Sequence, residues 1–95
     1  MKITVEFLSL PNITKIIGSK SVSLNFTGRT IKDLINEITN KYGEKVRGFL
    51  LDESGNLDMI LKVHLNKKEW ISTDLMDRQL KDGDLITIMM LVGGG

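Results

Sequence analysis

A chain of 95 residues with 41% hydrophobic and 26% charged side chains fits one compact globular domain rather than a disordered segment or two cores. Thirteen Lys and Arg against twelve Asp and Glu leave a formal charge of +1, which argues against the basic surface of a nucleic-acid binder. With no cysteine and a single histidine, His64, the chain has no thiol for a disulfide, iron–sulfur cluster, Cys-ligated zinc, nucleophile or persulfide, and no His cluster for a metal.

Lys2 to Leu8 alternates, with Ile3, Val5 and Phe7 on one side and Lys2, Thr4 and Glu6 on the other. That pattern predicts a strand with one buried face, and it is unlike a leader sequence. Pro11-Asn12 starts a turn, and Ile13, Ile16 and Ile17 at one-turn spacing predict a short helical turn closed by Gly18. Ser21 to Phe26 alternates through Val22, Leu24 and Phe26 and predicts a second strand, hairpin partner of the first. Thr30 with Asp33 resembles a capping box, and Ile31, Leu34, Ile35, Ile38 and Tyr42 form the apolar stripe of the main helix. Gly43 is placed for a left-handed cap.

Beyond the helix, Gly48-Phe49-Leu50-Leu51 reads as a short apolar strand, and Asp52 to Asn56 as a turn. Leu61, Val63 and Leu65 alternate in a further strand, which turns at Asn66 to Glu69 towards Trp70 and Ile71. After the tight turn Lys81-Asp82-Gly83-Asp84, the last strand runs from Leu85 to Val92 and is apolar everywhere except Thr87. Such a strand is central and covered on both faces, or keeps one face for a partner. It should lie parallel to the first strand in mid-sheet, since a helix crossover separates the two. No apolar stretch reaches membrane-spanning length, and a cytoplasmic setting is expected.

Gly93-Gly94-Gly95 follows the last strand. At about 7% average glycine usage, three in a row at a given place occur roughly once in 3,000 chains, so chance is a weak explanation. Without Cβ atoms such an arm threads a narrow channel, and residues 92–95 fully extended span roughly 13 Å. Its one reactive group is the Gly95 carboxylate. If Ile86, Ile88 and Met90 face the helix, then Leu8, Leu85, Met89 and Leu91 face outwards with Thr87, beside the root of the arm. Leu8, Met89, Leu91, Val92 and Gly93 are therefore the candidate partner-binding residues, and Gly94 and Gly95 the candidate reactive end. His64 points away from the core by strand parity and is assigned no role. Asp52, Glu53, Asn56 and Asp58 lack calcium-loop spacing and read as a solvated turn. Trp70 belongs to either surface.

Several segments in order resemble the MoaD/ThiS family of ubiquitin-like sulfur carriers: Lys2 to Phe7, Ile16-Ile17-Gly18, Thr30 to Leu34, Asp52 to Leu57 and Val63 to Asn66. The strongest is Leu80-Lys81-Asp82-Gly83-Asp84-Leu85-Ile86-Thr87-Ile88, followed by the glycines. Within the family the molybdopterin synthase small subunit is the most similar, although Met89 to Val92 stand where such subunits usually have aromatic and proline residues. The resemblance implies an α+β, β-grasp fold: residues 1–92 as a mixed sheet over one main helix, and residues 93–95 as a flexible tail. It implies that Gly95 is adenylated by an E1-like enzyme using ATP, converted to a thiocarboxylate, and presented to the large subunit of molybdopterin synthase. The chain would then hold no cofactor stably and would not be catalytic alone. The alternatives are a thiamine or tRNA-thiolation carrier, a ubiquitin-like protein modifier, and a β-grasp binding module with an inert tail.

Overall fold

The computed structural model describes residues 1–72 and 76–90. Strand β1 (Lys2–Leu8) and strand β2 (Ser21–Asn25) pair antiparallel with Val5 opposite Val22, as the alternation predicts. Helix α1 (Pro11–Ile17) lies between them, starting at a proline and buried through Ile13. The Gly18 N–H closes it on the Thr14 carbonyl at 2.8 Å with φ 86°, a left-handed position that suits glycine.

Helix α2 (Ile31–Tyr42) opens with the expected capping box. Thr30 Oγ1 accepts the Asp33 N–H at 3.1 Å, and Asp33 Oδ2 accepts the N–H groups of Arg29 and Thr30 at 3.0 and 3.1 Å. Those two backbone donors hold the Asp33 carboxyl below its ordinary range. Thr30→Ala should cost about 1 kcal/mol, read as a lower denaturant midpoint with unchanged slope.

The segment expected as a strand at Gly48 to Leu51 is instead helix α3 (Glu44–Leu50). Its inward residues are Val46 and Leu50, four apart, while Phe49 remains 41% exposed. Helical spacing therefore overrides the short apolar run. Gly43 has the positive φ expected, 92°, but its ψ of −171° is extended, so it turns the chain directly from α2 into α3.

Strand β3 (Leu61–Leu65) and strand β4 (Glu69–Ile71) form a hairpin whose turn residues Asn66 and Lys67 both have positive φ. Strand β5 (Leu85–Met90) is central in the order β2-β1-β5-β3-β4 and parallel to β1, as expected. The Lys81–Asp84 turn that delivers it is clipped to β1, since Gly83 N–H donates to the Lys2 carbonyl at 2.8 Å. Ile3, Val5, Phe7, Ile86 and Ile88 are at most 1% exposed on one sheet face, against Ile31, Leu34, Ile35 and Ile38 of α2. In this α+β arrangement the other sheet face carries no helix among the described residues. Among the described residues, no helix is long and apolar enough to cross a membrane.

Candidate functional site

The helix-free face carries the outward residues of every strand. Parallel pairing sets Leu8 beside Met89, and antiparallel pairing sets Lys62 on Met89's other side. Leu8 and Met89, the two described members of the predicted partner patch, are thus brought together, and both are half-buried. Leu85 is not part of that cluster: it lies four register pairs away, beside Thr4.

A polar row separates them. Thr87 faces outwards but is only 1% exposed, and it stands between Glu6 on β1 and His64 on β3. Its hydroxyl donates to Glu6 Oε1 at 3.1 Å, and Lys67 Nζ reaches the same oxygen at 2.9 Å. The Lys67 contact first and the Thr87 hydrogen bond after it hold the Glu6 carboxyl below its ordinary value, against partial burial. A depressed carboxyl stabilises the fold above the usual carboxylate range, and that contribution disappears as the pH falls through the folded-state value. The stability gap between wild type and Glu6→Gln, measured by urea titration, should therefore narrow from neutral pH to about pH 3.

Trp70, left open by the sequence, belongs to this face. It pairs with His64, and the two rings stack with centroids 4.2 Å apart and planes 15° from parallel. Trp70 is 56% exposed. The register of β4 on β3 makes this placement, with the neighbouring Ile71 turned into the core. His64 supports the indole, so its outward direction is as predicted. The Asp52 turn is a structural one: Asp52 Oδ1 accepts the N–H groups of Ser54 and Asn56 at 2.9 and 3.0 Å.

Met90, at the end of β5, lines a groove of about 350 Å³ with Leu10, Pro11, Phe49 and Ile60. Phe49 and Ile60 are exposed apolar residues that sequence reasoning missed, the first through the mistaken strand and the second because Asp58-Met59-Ile60 carries no periodic pattern. The strand end is thus flanked by the Leu8–Met89 pair and by this groove. Leu91, Val92, Gly93, Gly94 and Gly95 lie outside the described residues, so the expectations placed on them, the 92/93 boundary and a flexible tail included, are not addressed by the structure.

No family model matches this sequence, and no curated protein matches it. Solved structures do. SAMP1 from Haloferax volcanii superposes with a TM-score of 0.80 at 17% identity, over 100% of both chains. The Amycolatopsis orientalis BexX/CysO complex contains a chain at TM-score 0.75 and 24% identity, covering 98% of this chain and 99% of that one. A Pyrococcus furiosus chain assigned as molybdopterin converting factor subunit 1 gives 0.72 at 23%, over 97% of this chain and 99% of that one. Near-complete coverage in both directions makes the likeness one of whole architecture rather than of a shared hairpin. The chain therefore has the ubiquitin-like β-grasp fold that its resemblance to the MoaD/ThiS carriers implied.

Proposed function

We propose that the chain is a ubiquitin-like sulfur carrier whose Gly95 carboxylate is the reactive group. The observation that supports this best is the course of β5. The most central strand of the sheet leads from the folded body past the Leu8–Met89 pair, and the sequence continues through Leu91, Val92 and three glycines. A carboxylate is a poor acyl donor, so an E1-like partner must activate it. The Gly95 oxygen attacks the α-phosphorus of ATP and pyrophosphate leaves. Sulfide supplied by the partner system then attacks the acyl carbon, the C–O bond to AMP breaks and AMP leaves, the sulfide proton is released to solvent, and the thiocarboxylate remains. The chain's own part is recognition and delivery, with the chemistry performed by its partners.

The most specific form of this reading is the small subunit of molybdopterin synthase, presenting the thiocarboxylate to the large subunit. The likeness to a converting-factor subunit favours that branch, and the BexX/CysO complex favours docking on a partner enzyme. The likeness to SAMP1, whose name stands for small archaeal modifier protein 1, favours a second reading, ligation of Gly95 to a lysine. Incubation with ATP, the activating enzyme and candidate partners separates them. The carrier returns as a free chain with its sulfur gone, whereas the modifier leaves a Gly95–lysine isopeptide bond in protease digests.

The Leu8–Met89 pair is the proposed seat of the large subunit. Met89→Lys should weaken that association about tenfold or more while moving the melting temperature little, because charge is depleted from interface cores and Met89 lies outside the buried core. Calorimetric titration and thermal melting together check it. A large stability loss with unchanged binding would place Met89 in the core and remove it from the interface.

A further inference from the structure

The two edges of the sheet are built differently. β4 is three residues long, and its Glu69 is tied to Arg78 by two hydrogen bonds. β2 is five residues long, and no described strand pairs with its far side. Phe7 N–H donates to the Lys20 carbonyl at 2.8 Å and Phe26 N–H to the Met1 carbonyl at 2.7 Å. By antiparallel alternation Val22 and Leu24 also turn their backbone groups towards β1, while Ser21, Ser23 and Asn25 turn theirs outwards. Ser21 shows this directly. Its N–H and carbonyl are both taken by the Ser19 hydroxyl, at 3.2 and 2.7 Å. Ser23 and Asn25 present theirs at the open edge.

The usual protections of an edge are missing here. The strand Ser-Val-Ser-Leu-Asn contains no proline and no charge, and its register with β1 runs without a bulge. Val22, on the helix side, is still half-buried. An extended chain laid along this edge would gain ladder hydrogen bonds at Ser23 and Asn25 and cover Val22.

Charge selects the occupant. Residues 1–32 contain Lys2, Lys15, Lys20, Arg29 and Lys32 but a single carboxylate, Glu6, which Lys67 and Thr87 already engage. The next one, Asp33, is occupied by the α2 cap. Lys20 and Arg29 bracket β2 in sequence, and Lys2 stands opposite Asn25. A second copy paired symmetrically would bring Lys20 of one chain towards the Lys2 and Arg29 end of the other, positive against positive. We propose that the β2 edge receives an extended peptide segment of a partner protein, apolar and alternating at its centre and acidic at its flanks, as a sixth strand. The proposal rests on β2 alone and holds whatever the tail carries.

The test uses the full isotope-labelled chain and a synthetic peptide with an alternating Val-Thr centre and Asp-Glu at each end. Amide shifts and exchange protection should centre on Ser23 and Asn25. Ser23→Pro should weaken binding about tenfold while leaving the melting temperature close to wild type, since its N–H points away from β1. Asn25→Pro has the same parity and replaces it if Ser23→Pro fails to fold. Lys20→Glu should weaken binding about two- to fivefold and reduce its salt dependence. Equal binding of a Lys-flanked peptide, shifts centred elsewhere, or full affinity in the proline variants would overturn the proposal. So would dimerisation of the free chain through β2, which would give the edge to a second copy.

Discussion

Deleting Gly95 should leave the fold and partner binding intact and abolish sulfur transfer. In the proposed reading Gly95 serves as the end of a delivery arm, so the expected loss is one of position. Removing one residue draws the reacting carbon back by about 3.5 Å. Reacting atoms must approach to roughly 3–3.5 Å, and a displacement of about 1 Å already costs on the order of a hundredfold. One alanine appended after Gly95 should block transfer by a different route, placing a methyl group where the channel accepts none. Single-turnover assays on both variants, with binding measured separately, check this. Gly94 is the position that would take over if the arm had slack, so normal transfer by the truncated chain would show that the final glycine is dispensable.

Leu50→Ala should lower stability by about 2–5 kcal/mol, whereas Phe49→Ala should change it by less than about 1 kcal/mol. Leu50 is fully buried on α3, whereas Phe49 lies outside the buried core at 41% exposure. If residues 48–51 were a strand, Phe49 and Leu51 would share a face and the order of the two effects would be different. Denaturant titration of the two variants compares the helix and the strand directly. The pair also has a functional reading, since Phe49 lines the groove beside Met90 and its loss should register in partner binding instead.

Most of the architecture was legible because its signals are local. Ile3, Val5 and Phe7 alternate, Ile31 to Ile38 step by three and four, and Thr30 with Asp33 states where α2 begins. The central parallel pairing of β1 and β5 followed from long apolar patterns and the helix between them. α3 was not legible, since a seven-residue helix offers only Val46 and Leu50 as its inward pair, and the run Phe49-Leu50-Leu51 imitates a strand. The outer face was legible in direction but not in composition. Parity placed Leu8, Thr87 and Met89 outwards, yet only register shows that Glu6, Thr87 and His64 form a polar row between Met89 and Leu85. Trp70 needed the β3–β4 pairing for the same reason.

The most direct measurement of the carrier role is the intact mass of the chain after incubation with ATP, a sulfur donor and an E1-like activating enzyme. The proposed chemistry predicts a gain equal to one sulfur replacing one oxygen, localised to Gly95 by fragmentation and absent when ATP is omitted. An unchanged mass with an active enzyme, or sulfur located anywhere other than Gly95, would contradict it.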